Sequence, residues 1–382
     1  MKNFSFSIPQ NVRFGRGSLK FLPETAKGTG GKKAYIITGP HLKKTGLSDI
    51  CETGLKTAGI ECDCFFETEG NPSTDTVERA AAGFLNSGAD FIVAFGGGSP
   101  IDVAKAVAVV AAFGGKIVDY EGVGNVPGPV VPVIAIPTTA GTGSEVTAFS
   151  VITDHKRDYK LTVGSKYLIP EAAILDPELI MTVPAKTAAA CGIDAFVHAL
   201  EAFVSKDASS FSDIFARQAL ELIGSNIRKY VADRTDPDAC EAMMLGSLYA
   251  GIAFSHARLG NVHAMSHPVS AYFDVPHGVA NAILLPTVVD FNMERAKDKY
   301  NVVYNMISEV PVSLGDFSAD MLSAELRVLE HELGIPSTLS EVGVDSNFFE
   351  RMACDAMKSG NILVNPRATT KADIITLYEA AY

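Results

Sequence analysis

Three of the chain's eight histidines fall close together, in His263-Ala-Met-Ser-His267-Pro268 and in Val275-Pro276-His277-Gly278. A fourth, His198, stands four residues after Asp194 in Gly192-Ile-Asp-Ala-Phe-Val-His-Ala-Leu-Glu201. Residues four apart share a helix face, so Asp194 and His198 can chelate one ion from one side. His263 and His267 have the same spacing, although Pro268 is expected to end or kink their helix. A lone histidine on an apolar helix is usually a core residue bonded to backbone. An aspartate on the same face changes that, because a buried carboxylate without a counter-charge is costly and calls for a cation. Three imidazoles and a carboxylate suit a borderline divalent ion such as Fe(II), Zn(II), Co(II) or Ni(II), and the lack of thiolates argues against a Cys-rich structural zinc site. Spacing alone does not separate true ligands from neighbours among His198, His263, His267 and His277.

A second constellation is Gly96-Gly97-Gly98-Ser99-Pro100-Ile101-Asp102, placed where a strand pattern gives way to a helical one. Three glycines let backbone approach a ligand closely, and Ser99 is expected to cap the helix. Pro100 suits the first helical position, and Asp102 completes a capping-box-like pair with Ser99. Bare N–H groups at such a helix start attract an anion and suit a pyrophosphate. The motif is neither Walker A nor the Rossmann GxGxxG, and an ordinary tight turn could look the same. A second loop, Pro137-Thr-Thr-Ala-Gly-Thr-Gly-Ser-Glu145, follows the next strand and carries four hydroxyls. Two such loops at the carboxyl ends of neighbouring strands describe a nucleotide crevice.

The elements that must position these residues divide the chain in two. Ala34–Thr38, Cys62–Phe66, Asp90–Phe95 and Val131–Ile136 read as strands, and Leu47–Ala58, Thr74–Asn86 and Pro100–Phe113 carry helical spacing between them. That alternation, with continuously apolar strands, predicts a parallel sheet covered by helices on both faces. Val151–Val163 reads as a hairpin with a charged turn. From Pro184 onward the texture is helical, which predicts an α/β dinucleotide-binding domain over 1–181 and an all-helical metal-binding and catalytic domain over 182–382.

Composition narrows the function. With 47% apolar residues, 20% charged residues, 33 Gly and 19 Pro in 382 residues, the chain is neither disordered nor collagen-like. Its net charge of −12 repels phosphate backbones and anionic lipid, so neither nucleic acid nor a membrane surface is an expected partner. Mean hydropathy is +0.18, yet the most apolar run, Ala106–Gly115, is about half the length of a span. The polar start, with Arg13 and Arg16, lacks the apolar region of a signal peptide. Six scattered Cys, including Cys62 and Cys64 one residue apart, form no CxxC pair and predict reduced, mostly buried thiols in a cytoplasmic protein.

The sequence resembles the iron-containing (group III) alcohol dehydrogenases. The resemblance runs from Asn11-Val-Arg-Phe-Gly-Arg-Gly17 to the C-terminal helices and rests on the two loops above, on Gly192–His198, and on His263–Pro268 leading to Pro276-His-Gly-Val-Ala-Asn281. It implies the dehydroquinate synthase-like fold, a nucleotide-binding α/β domain and an all-helical domain with the active site between them. It implies metal ligands at Asp194, His198, His263 and His277, with His267 beside the metal without ligating it. An imidazole there has a pKa suited to passing the alcohol proton to water as a catalytic group, and equally suits a hydrogen-bonded residue that positions the nicotinamide. Dinucleotide contacts fall on Gly96, Gly97, Gly98, Ser99, Thr138, Thr139, Thr142 and Lys160, with Gly39 and Asp102 counted among the cofactor-binding residues. Positional matching puts Phe149, Val151, Phe254, His256, Arg258 and Leu259 near the substrate channel.

The expected activity is a metal-dependent alcohol dehydrogenase or aldehyde reductase, passing hydride between NAD(P)(H) and a short-chain alcohol or aldehyde. Fe(II) is the expected ion, with Zn(II) or another divalent metal as alternatives, and a homodimer or larger homo-oligomer is the expected assembly. A dehydroquinate-synthase-like lyase and a non-catalytic metal or nucleotide sensor are the competing readings. The lyase needs basic groups for a polyhydroxy acid phosphate, and few lie near these histidines. Phe149 and Phe254 suggest a narrow apolar entrance, whereas Arg258 could grip an acidic tail or serve as an ordinary structural arginine. Members of the family that prefer NAD often carry an Asp where Gly39 stands, so the group that repels the 2′-phosphate of NADP is missing. Lys43 or Lys44 could then reach that phosphate.

Overall fold

In the computed structural model, which describes residues 4–6, 8 and 10–382, the apolar runs of the first half form a six-stranded parallel sheet. Its strands belong to the series β1 (Asn11–Phe14), β2 (Lys33–Ile37), β3 (Glu61–Phe65), β4 (Phe91–Gly96), β5 (Gly122–Val123), β6 (Val133–Pro137), β7 (Phe149–Asp154), β8 (Tyr159–Gly164) and β9 (Ala172–Leu175). The spatial order is β1-β9-β6-β4-β2-β3, while β5, β8 and β7 make a small second sheet in which β7 and β8 pair antiparallel. The helices of this part are α1 (Leu22–Gly28), α2 (Pro40–Lys44), α3 (Leu47–Thr57), α4 (Thr74–Ser87) and α5 (Gly98–Phe113).

The central strands β4, β6 and β9, and all of β2 but its first residue, are buried because both faces are covered, whereas the edge strands β1 and β3 carry exposed polar residues. Along β2 and β4, Ile37, Ile92 and Ala94 pack into one core with α4 and α5, whereas Ile36, Phe91, Val93 and Phe95 pack into the other. Helix α4 is capped by Ser73, whose hydroxyl accepts from the Thr76 amide at 3.2 Å. The edge strand β1 and its neighbour β9 were not among the expected strands. They are four residues long, and a run that short carries too little periodicity to stand out.

The second half contains α6 (Ala185–Val204), α7 (Ser210–Ala232), α8 (Pro237–Ala257), α9 (Asn261–Phe273), α10 (His277–Ile307), α11 (Ala319–Glu332), α12 (Phe349–Ala356) and α13 (Lys371–Ala380). Among the described residues, one compact unit takes 8–139 and 143–181; the other takes Thr182–Tyr382, Ala140–Thr142 and 4–6. Helix α6 packs against α7, α8 and α10. By length and composition α6 could cross a membrane, but it lies almost wholly inside the helical unit and is its core helix. Of the two outcomes expected at Pro268, the helix does not end there: α9 runs on to Phe273, so packing against α10 and α12 outweighs the lost backbone bond. One further expectation needs correction. Of the six Cys, only Cys51 and Cys240 are buried, and Cys354 is exposed.

Candidate active site

The helical unit gathers one carboxylate and four imidazoles. Asp194 and His198 project from the same face of α6, His263 and His267 from α9, and His277 from the first position of α10. The Nε2 atoms of His263, His277 and His198 lie 3.6, 3.8 and 3.9 Å from Asp194 Oδ1. Ligand atoms of Asp194, His263 and His277 lie within 4.8 Å of one another. His198 Nδ1 faces the Gly141 carbonyl at 3.3 Å, which leaves Nε2 directed at Asp194. Four donors about 2.1 Å from one ion in a tetrahedron stand about 3.4 Å apart, so these separations and this donor set fit a divalent cation. His267 is set back from Asp194, its ring 5.3 Å from that of His277 and 6.3 Å from that of His263.

Close backbone approach brings α10 to α6. A Cβ at Gly278 would run into the Ala190 carbonyl, one helical turn before Asp194, so only glycine allows His277 to start its helix there. Burial would raise the Asp194 carboxyl, but His198, His263 and His277 outweigh it and hold the group well below the usual carboxylate range. Burial lowers His198 to about 4. It would lower His263 too, yet the carboxylates of Asp194 and Glu201 outweigh it and raise that imidazole to about 9.

Two residues of this cluster were missed from sequence. Glu201 is buried and accepts from His263 Nδ1 at 2.6 Å and from the Val262 amide at 2.7 Å. It fixes the ring so that Nε2 faces Asp194, the usual arrangement around a metal-ligating histidine. The signal was present, since Glu201 follows His198 by three and Asp194 by seven on one helix face. Asn281, four after His277, donates from Nδ2 to Asp194 Oδ1 at 2.6 Å.

In the α/β unit the two loops are adjacent. Gly96 registers against Pro137, and the Thr138 amide donates to the Gly96 carbonyl at 3.0 Å. The chain also reverses its direction of travel across the sheet between β2 and β4, the point where open α/β sheets bind ligands. Gly96 adopts φ +154°, and a Cβ on Gly97 would press on the Thr139 side chain at 3.1 Å, so the loop is shaped for close approach. The expected Ser99–Asp102 cap does not form. The turn at Gly96 starts α5 at Gly98 with Gly97 as its cap, which puts Ser99 and Pro100 inside the first turn. Asp102 instead accepts from Ser144 Oγ at 2.6 Å and from the Val151 amide at 3.2 Å.

Lys105 was also missed. Fully buried about two turns along α5, its ammonium reaches the carbonyls of Ser144, Thr147 and Phe149 at 2.6 to 2.9 Å and so ties the end of the second loop to the helix that begins at the first. Burial lowers Lys105 to about 8, and burial likewise raises Asp102 and raises Glu145 to about 7. Lys160 Nζ donates to Asn71 at 2.7 Å. Gly39 caps α2, while Lys43 pairs with Asp49 at 3.1 Å and packs over Phe66.

Among the residues expected near substrate, Phe254 stacks on His198 with ring centroids 4.5 Å apart. His256 turns instead to the Ile252 carbonyl and the Phe211 ring. Arg258 ends α8 at φ +62° with its guanidinium against Gly360, and Leu259 is buried. Phe149 and Val151 lie on β7.

Two family models cover nearly the whole chain: iron-containing alcohol dehydrogenase over residues 9–177, and the C-terminal part of the Fe-containing alcohol dehydrogenase family over 188–382. The chain is 38% identical to an NAD-dependent methanol dehydrogenase of Bacillus methanolicus, with 99% of each covered. It is 37% identical to a 1,3-propanediol dehydrogenase of Klebsiella pneumoniae, also with 99% of each covered. A crystal structure of a 1,3-propanediol oxidoreductase superposes with a TM-score of 0.95 over 100% of both chains at 37% identity. These matches favour neither the lyase nor the sensor reading. The chain belongs to the iron-containing alcohol dehydrogenase family.

Proposed function

We propose that the protein is a metal- and nicotinamide-dependent alcohol dehydrogenase or aldehyde reductase acting on short-chain substrates, with Asp194, His198, His263 and His277 holding the ion. The observation that carries this reading is the convergence of three Nε2 atoms on Asp194 Oδ1 at 3.6 to 3.9 Å. Relatives named for methanol and 1,3-propanediol support small alcohols as substrates, and the first is named NAD-dependent. When bound, a divalent ion supplies Lewis acidity toward the substrate oxygen, and the dinucleotide takes or gives the hydride.

The chain's own residues then have separate tasks. Asp194 contributes the single negative charge, so the donor set only partly neutralises a divalent ion. Glu201 fixes the ring of His263. Phe254, stacked on His198, gives the site an apolar wall that excludes water. His267, on the same helix as His263, accepts the alcohol proton at a ring nitrogen and passes it to solvent. The loop glycines and Ser99 at the start of α5 hold the pyrophosphate, with Thr138, Thr139, Thr142 and Lys160 completing the dinucleotide contacts. Asp102 serves that site indirectly, through Ser144 and the Val151 amide.

Gly39 leaves NADP(H) tolerated alongside NAD(H), since no carboxylate stands there to repel the 2′-phosphate. Lys43, already paired with Asp49, is a weaker candidate for gripping that phosphate. A cytoplasmic location and a homo-oligomeric state complete the proposal. Adding a primary alcohol, NAD+ or NADP+ and Fe(II) to the purified chain, and following the reduced nicotinamide by absorbance, tests the assignment. Turnover that disappears on chelation and returns with Fe(II) is expected; metal-independent turnover would overturn it.

A further inference from the structure

We infer that Asn281 is a built-in competitor for the cation at the Asp194–His263–His277 group, a conclusion that rests on that group being a metal site. Asn281 is fully buried on α10, one turn beyond His277. Its Nδ2 lies 2.6 Å from Asp194 Oδ1, 3.1 Å from His263 Nε2 and 3.3 Å from His277 Nε2. Those are the same three atoms whose lone pairs converge to form the candidate metal site.

A carboxamide nitrogen has two hydrogens and no usable lone pair, so it can only donate here. One hydrogen goes to the carboxylate and the other to His277 Nε2. The orientation comes at the expense of the other end of the amide, since Asn281 Oδ1 is buried without a hydrogen-bond partner among the described residues. An orphaned carbonyl in the interior is unfavourable. It persists because the anionic acceptor at 2.6 Å rewards the N–H end more.

A cation and these N–H groups need the same lone pairs. Asn281 therefore supports the cation-free protein by tying the carboxylate of α6 to an imidazole of the group, and it must release both when a cation binds. The amide lowers affinity and keeps the site assembled between metal losses. Sequence gives no hint of this beyond an Asn one turn after His277.

The test uses the full chain with Asn281→Ala and Asn281→Leu, the second keeping the volume of the side chain without its N–H groups. Each protein is stripped by chelation and titrated with Zn(II) and Co(II) against a metallochromic competitor. Thermal midpoints are read for stripped and loaded forms. Removing a donor to the carboxylate should tighten the dissociation constant about tenfold. It should also lower the midpoint of the stripped protein while leaving the loaded one close to that of the natural chain. Equal loss of stability in both forms with unchanged affinity would make Asn281 a plain packing residue and overturn the inference. Weaker binding by both variants would overturn it too, by making Asn281 a supporter of the loaded state. If the natural chain binds neither metal, the metal-site reading falls and takes this inference with it.

Discussion

Glu201→Gln is the most informative single substitution, because the side chain keeps its shape and loses only a charge and one acceptor. The two short contacts of Glu201 use different oxygens: Oε1 accepts from the Val262 amide at 2.7 Å and Oε2 from His263 Nδ1 at 2.6 Å. Glutamine has one oxygen to offer. If it faces His263, the new NH2 confronts the Val262 N–H, and two buried donors are left opposed. If it faces Val262, the NH2 donates to His263 Nδ1, which forces the ring proton onto Nε2 and points it at Asp194. Either outcome removes one charge-assisted bond, worth about 1.5–3 kcal/mol, and leaves a buried donor or a wrong tautomer in its place. Outer-shell changes of this kind reduce metal affinity by about 10- to 100-fold. Zn(II) titration against a chelator of known affinity measures the effect directly, and circular dichroism checks the fold. A Gln variant that binds Zn(II) as tightly as the natural chain would refute the idea that Glu201 sets the tautomer of His263.

Asp194→Ala and His277→Ala should remain folded while losing bound metal and turnover, as read by metal analysis of the purified proteins. Lys105→Met strips a buried ammonium from the carbonyls of Ser144, Thr147 and Phe149, and should lower unfolding free energy by about 3–5 kcal/mol in urea titrations. The Glu145 carboxyl, raised by burial from 4.5 to about 7, favours its protonated form in the fold, so its contribution is complete below pH 4.5 and is lost as pH rises through 7. Glu145→Gln should therefore gain stability relative to the natural chain between pH 5 and pH 8, and a constant difference would contradict this. Gly39→Asp should shift the kcat/KM ratio toward NAD(H), with a modest stability loss because a Cβ there meets the Thr68 carbonyl at 3.1 Å.

What the sequence disclosed and what it hid follow from the range of the interactions. Strand positions were readable because β2, β4 and β6 are buried on both faces, which leaves continuous apolar runs. The shared face of Asp194 and His198 was readable because one helix sets it. The meeting of His263 with His277 was not, since it depends on the turn between α9 and α10 and on Gly278 seating against Ala190. The capping pair of Ser99 and Asp102 misled because local propensity favours it, whereas Gly96 at φ +154° starts the helix early and frees Asp102 for Ser144.

Buried polar partners were the least visible, and the reason is general to this molecule. Glu201, Asn281 and Lys105 each satisfy groups 39 or more residues away, at separations where pattern and propensity carry no information. Each is also the kind of residue that composition alone assigns to the surface. A rule can be drawn from them: in an apolar helix, a Lys, Asp, Glu or Asn on the buried face has been taken out of water and must be answered by something the chain brings from elsewhere. On α5, α6 and the start of α10, the residues of these types that are buried are Lys105, Asp194, Glu201 and Asn281. Two of those four hold the imidazoles in place, one contests their lone pairs, and the last joins the two loops assigned to the dinucleotide.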